Sequence, residues 1–187
     1  MLERLLSNTR TLSLWMTWLG GTLIVLSAFL VTLEVFLRKV FNVSIGGADE
    51  ISGYAFGVAT ALSLSYALFE RAHIRVDALL GAIPKKLHGL INLLGMILLI
   101  SFAAVIVYNV WSLVGDTLDN GSRSITPIRV PLAIPQIPWL IGWMFFVFSG
   151  ALLCLVTLKR MVAGDSDGTQ DLIGVKSLDE QIKDETV

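Results

Sequence analysis

"LHGLINLLGMILLISFAAVIVYNVWSLVG", residues 87–115, contains no charged side chain between Lys86 and Asp116. A helix needs about 20 mostly apolar residues to cross the hydrocarbon core of a bilayer. Inside that core every backbone N–H and C=O must find its partner within the segment. A run of this length and composition therefore reads as a membrane-spanning helix. Three further runs match it, from Arg10 to Glu34, from Glu50 to Glu70 and from Arg129 to Lys159. The expected spans are 13–36, 50–69, 87–114 and 137–158. The expected fold is thus an all-α integral membrane domain over residues 1–163. It is followed by a polar, acidic tail, 164–187, whose composition predicts disorder. The first run is too long for the apolar part of a secretion signal, and no small-x-small cleavage site follows it.

Composition agrees. The chain has 187 residues, 55% hydrophobic and 16% charged, where soluble domains carry about 25% charged residues. A net charge of -1 argues against nucleic acid as a partner, since that would call for a basic face. The one cysteine, Cys154, lies deep in an apolar run and reads as a small buried side chain.

Lysine and arginine are enriched on the cytoplasmic side of membrane proteins. Arg4, Arg10, Arg71, Arg75, Lys85, Lys86, Lys159 and Arg160 flank one side of the four spans, and only Arg38, Lys39, Arg123 and Arg129 flank the other. Both termini are therefore expected in the cytoplasm. Trp15 and Trp18 near one boundary, with Trp111, Trp139 and Trp143 near the other, fit an aromatic belt.

The connections differ in chemistry. In the first, Glu34 and Arg38 are four apart in the favourable order for a helical ion pair. Asp49 and Glu50 open the second span, where anions complement the helix dipole. The second connection, "FERAHIRVD" (69–77), gathers Arg71, His73, Arg75 and Asp77. Val76, Leu79, Leu80 and Ile83 recur behind them at the spacing of one helical face. This predicts a short amphipathic helix over 71–83, lying in the cytoplasmic interface and contacting lipid. Pro127, Pro131, Pro135 and Pro138 favour an extended path through the third connection, with Pro138 in the first turn of the last helix.

The middle of the membrane carries only mild polar residues such as Thr22, Ser27, Thr60, Ser63 and Ser101. Ion-coupled transporters place strongly polar sites at the midplane, on broken and repeated helices. This chain has neither feature, so it is not expected to carry a solute alone. His73 and His88 are not at metal-ligand spacing, and Cys154 lies on another helix. No metal, haem or other cofactor is expected. No nucleophile or oxyanion site accompanies His73, which argues against a membrane enzyme. A self-sufficient oligomeric exporter or channel is the alternative, and it lacks the mid-span ionisable residue that it would need. The second span instead carries packing signals. Gly53, Gly57, Ala61 and Ser65 form one small-residue stripe, and Ala55, Ala59, Ser63 and Ala67 a second. Small residues let helices approach closely in lipid.

Over roughly residues 12–160 the chain resembles the small membrane subunit (DctQ-type) of the tripartite ATP-independent periplasmic, or TRAP, transporters. The resemblance rests on Glu34 with Arg38 and Phe41-Asn42, on Asp49-Glu50, on "RAHIRVD" at 71–77 and on "PLAIP" at 131–135. Where the family often has an aromatic residue before the acidic pair, Gly46, Gly47 and Ala48 stand here. The resemblance implies a non-catalytic subunit in a bacterial inner membrane. Its partners would be a large membrane subunit that moves small organic anions with sodium, and a periplasmic substrate-binding protein. Glu34, Arg38, Asp49, Glu50, Gly53, Gly57, Ala61, Ser65, Arg71, His73, Arg75 and Asp77 are the candidate structural and interface residues.

Overall fold

The computed structural model describes residues 2–72, 85–165, 168, 172 and 173. Among the described residues the main elements are α1 (Leu2–Phe41), α2 (Ala48–Phe69), α3 (Lys85–Asp119) and α4 (Ala133–Val162). Each is long and apolar enough to cross a membrane. Each also outruns the span expected from charge alone or matches it within two residues. The 40 residues of α1 extend for about 60 Å at 1.5 Å per residue, well beyond a bilayer core. The amphipathic helix expected over 71–83 falls, apart from Arg71 and Ala72, outside the described residues. His73, Arg75 and Asp77 lie there too.

Arg71 itself is not helical. It takes φ 58° and ends α2: its N–H donates to Leu68 O at 3.1 Å, and the N–H of Ala72 to Ala67 O at 2.9 Å. This paired closure normally uses glycine at the left-handed position. The chain uses glycine there at the ends of α3 (Gly121) and α4 (Gly164). Pro135 and Pro138 do not hold an extended path either. Both lie in α4, with Pro138 a turn and a half from its start. Proline costs little in a first turn, where N–H groups have no helical acceptor. At position 138 it removes the bond to the Ile134 carbonyl.

The spatial order differs from the chain order. α2 packs against both α1 and α4, while α3 packs on the far side of α4. α2 and α4 are thus the inner pair, and they run parallel. Gly142 meets Ala61, and Gly150 sits beside Leu68 further along both helices. The two small-residue stripes explain this arrangement. A Cβ at Gly20 of α1 would lie 2.9 Å from the Ala59 carbonyl oxygen and 3.1 Å from Ser63 Oγ. A Cβ at Gly142 of α4 would lie 2.7 Å from the Ala61 carbonyl carbon. The Ala59 and Ser63 stripe therefore receives α1, and the Ala61 stripe receives α4. Ala59, Ala61 and Ser65 are all buried.

Below these contacts Leu68, Leu93, Met96, Phe146 and Leu153 form the main apolar cluster. Trp143 joins it edge-on to Phe146, with ring centres 6.0 Å apart. It is a packing residue, not the belt residue its position in the sequence suggested. Ile173 is buried in the same cluster, and Arg160 donates to Gly168 O at 2.8 Å. The described part of the tail thus folds back against the bundle.

Replacing Gly20 or Gly142 by leucine forces a side chain into backbone. Overpacking of this kind costs about 1–3 kcal/mol. Gly21, with nothing within 4 Å of its Cβ position, is the internal control. Gly20→Leu and Gly142→Leu should lower the melting temperature of the purified subunit, and Gly21→Leu should leave it unchanged. Equal melting of all three would show that the helices do not meet through these glycines.

Candidate functional site

Two carboxylates organise one end of the bundle. Glu34, on the last turns of α1, is buried although Arg38 beside it is open. Its Oε1 accepts from Arg38 Nη2 at 2.6 Å and from Ser44 Oγ at 2.6 Å. Its Oε2 accepts from the backbone N–H of Ile45 at 2.7 Å. Ser44 Oγ in turn accepts from the Gly46 N–H at 3.1 Å. One side chain thereby fixes the whole turn between α1 and α2. A carboxylate holding three donors is a strong, short-range anchor, and its lone pairs are committed. This geometry suits a structural ion pair, not a proton carrier.

Glu50 does the same for α2. Its Oε1 accepts from Tyr54 Oη at 2.7 Å, and its Oε2 accepts from Thr126 Oγ1 in the α3–α4 connection. The Thr126 proton is committed to Glu50. Ser124 Oγ lies 2.9 Å from Thr126 Oγ1, hydrogen-bonds the Glu50 carboxylate as well, and accepts from the Val130 N–H at 3.1 Å. The loop is thus tied through two hydroxyls to one carboxylate at the start of α2. Beside it Gly47, with φ 154°, has no room for a side chain: a Cβ there would lie 1.6 Å from Ile128 Cδ1. The third connection thus packs directly over Gly47. Asp49 is exposed.

The opposite end is closed by ion pairs. Arg10 Nη2 on α1 meets Glu70 Oε1 at the end of α2 at 2.8 Å, and Arg160 Nη2 on α4 meets Glu3 Oε1 on α1 at 2.9 Å. Between the two ends, several polar side chains turn back onto their own helices. The hydroxyls of Thr17, Thr22, Thr60, Ser63 and Ser149 each donate to the carbonyl four residues earlier, at 2.8–2.9 Å. Hydroxyls bonded in this way stay on their helix wall and line no path. Among the described residues no acid, lysine, arginine or histidine lies in mid-span.

A family model described as tripartite ATP-independent periplasmic transporters, DctQ component, matches residues 27–165. The chain belongs to that family. It is a multi-pass membrane protein, the small membrane component of a TRAP transporter, and not an enzyme. No curated protein and no solved structure matches it.

For this TRAP subunit the described sequence-derived residues other than Asp49 and Arg71 fall into three groups. Glu34 with Arg38, and separately Glu50, anchor connections. Ala61 and Ser65 are buried between helices. Gly53 and Gly57, on the same stripe, have nothing within 4 Å of their Cβ positions. They line an open, largely apolar groove of about 170 Å³ with Pro135 and Trp139 of α4. The partners Ser44, Ser124, Thr126 and Ile128 carry no sequence signal, because each acts through a contact that only the fold creates.

The Glu34 cluster predicts a specific non-additivity. Glu34→Ala and Ser44→Ala should each lower the melting temperature, and the double variant should be little worse than Glu34→Ala alone. Residues that share one network couple in this way. Additive losses would mean that Ser44 acts elsewhere.

Proposed function

We propose that this subunit is the non-catalytic scaffold of a sodium-coupled TRAP transporter for small organic anions. It holds the large transport subunit in a bacterial inner membrane and works with a periplasmic substrate-binding protein. One observation carries the reading. The bundle is fastened by carboxylates at one end and ion pairs at the other, the hydroxyls of Thr17, Thr22, Thr60, Ser63 and Ser149 bond their own helices, and a small-residue groove stands open at Gly53 and Gly57. A helix of the large subunit can approach closest there, where only small side chains separate it from the α2 backbone. Family membership supports the sodium coupling, the anion class and the two partners. The excess of lysine and arginine around Arg10, Arg71 and Arg160 supports cytoplasmic termini. The ends of α1 and α3 then face the periplasm.

Reconstitution tests the reading directly. The large subunit with this chain should transport in vesicles, and this chain alone should not. Transport by this chain alone would sink the scaffold role. Gly57→Leu should cut co-purification with the large subunit several-fold while the variant still folds, because among the described residues nothing lies within 4 Å of its Cβ position. Wild-type recovery would show that the groove faces lipid.

Orientation has its own test. In a Cys154→Ser background, Ile125→Cys should react with an impermeant thiol reagent on intact cells. Asn8→Cys should react only after permeabilisation. The reverse pattern would invert the topology.

A further inference from the structure

Arg160, near the end of α4, grips the start of α1 and the tail with one guanidinium. Its Nη2 meets Glu3 Oε1 at 2.9 Å, and its Nη1 donates to Gly168 O at 2.8 Å. The N–H groups of a guanidinium form a planar fork, so one side chain can hold two acceptors in a fixed geometry. The turn in its grip is tight. Gly164 reverses the chain at φ 76°, and the Gly168 N–H donates to Asp165 Oδ1 at 2.9 Å. A Cβ at Gly168 would collide with the Asp165 carboxylate and lie 2.9 Å from Arg160 Nη1. Only glycine fits under this clasp.

Shortly after the clasped glycine comes Ile173, 0% exposed. Residues 164–171 carry no large apolar side chain, and Leu172 and Ile173 are the first. Ile173 shares an apolar cluster with Leu68 at the end of α2, Leu93 and Met96 near the start of α3, and Leu153 of α4. Leu6 of α1, Met161 of α4 and Leu172 pack against the same cluster. Three helices converge here. A Cβ at Gly150 of α4 would collide with Ile100 of α3 and lie 3.5 Å from Leu68 Cδ2 of α2. Yet among the described residues α2 and α3 share no extensive contact of their own. α2 ends at Phe69 and α3 begins at Lys85, and the second connection joins them. The spacing of its two roots therefore depends on the side chains that fill this corner, and Ile173 is one of them.

We propose that the tail is a latch. Ile173 is the plug of an apolar socket between α2, α3 and α4, and Arg160 is the clasp that aims it while holding the start of α1 in the same grip. At the end of a spanning helix the alternative to burial is water, so an isoleucine gains by entering the socket. With the latch shut, the end of α2 and the start of α3 keep a fixed spacing. The latch belongs to this chain alone and needs no partner, so it stands apart from the scaffold role.

The test uses the full-length subunit in lipid nanodiscs, in a Cys154→Ser background. Ile173→Cys should react with a water-soluble maleimide about tenfold more slowly than Asn8→Cys on an exposed position of α1, the scale of one buried aliphatic side chain. Adding Arg160→Gln to Ile173→Cys should speed its reaction about tenfold, as expected for one lost hydrogen bond to a charged group. Adding Gly168→Ala should act in the same direction. Nitroxides at Ala72 and Leu90, both exposed, report the spacing between the end of α2 and the start of α3. Their pulsed electron-spin distances should be narrowly distributed in the native chain and in Ile173→Val, and broad in Ile173→Asp. Equal reactivity of Ile173→Cys and Asn8→Cys overturns the proposal. So does a slow reaction that both clasp variants leave unchanged, the mark of a residue covered by lipid. So does a distance distribution that Ile173→Asp leaves as narrow as in the native chain.

Discussion

Helices in lipid gain nothing by burying apolar side chains against one another, because the lipid is equally apolar. What holds this bundle together is the closeness of its backbones. α2 supplies that closeness on two faces at once, toward Gly20 of α1 through Ala59 and toward Gly142 of α4 through Ala61. Everything else follows from having α2 in the middle. α4 becomes the second inner helix, and α1 and α3 are left on the flanks with wide lipid-facing surfaces. The hydroxyls of Thr22, Thr60, Ser63 and Ser149 bond their own helices. Larger residues on α2 would separate these neighbours, and the anchors at the two ends would no longer align.

The ends show how such a bundle is locked without charge in its interior. Glu34 and Glu50 each take donors from a connection, and their positions at the boundary let a charged group keep several hydrogen bonds without entering the hydrocarbon. Arg10 with Glu70 and Arg160 with Glu3 tie the helices at the other end. Exposed pairs of this kind are individually weak, so their value is in register. They fix which turn of α1 faces which turn of α2 and α4. A stiff bundle closed at both ends suits a subunit whose work is to position a moving partner.

The spans were legible because membrane crossing imposes a length and a polarity that any sequence shows directly. The pair of stripes on α2 was legible too, but which neighbour each stripe receives was not. Spacing gives a face and never its occupant. Glu34 with Arg38 could be read from one helix, since four residues make one turn. Ser44, Thr126 and Ile128 could not, because each meets its partner only after the chain has turned back. Pro138 misled for a local reason: a proline inside a helix loses one bond, and a well-packed helix tolerates that loss. Trp143 misled because a boundary position in sequence does not say which way an indole points. The closure of α2 at Arg71 was hidden for a related reason, since glycine usually marks that turn and arginine does not.

The central claim is that this subunit is a rigid support whose helices keep their arrangement while the partner moves. Spin labels at Val25 on α1 and Phe102 on α3, both exposed on the flanking helices, report the width of the whole bundle. In the assembled complex, pulsed electron-spin distances between them should agree within about 1 Å, the scale of pre-organised surfaces, whether sodium and substrate are present or absent. A shift of several ångströms on adding either one would contradict the account and make this subunit part of the moving machinery.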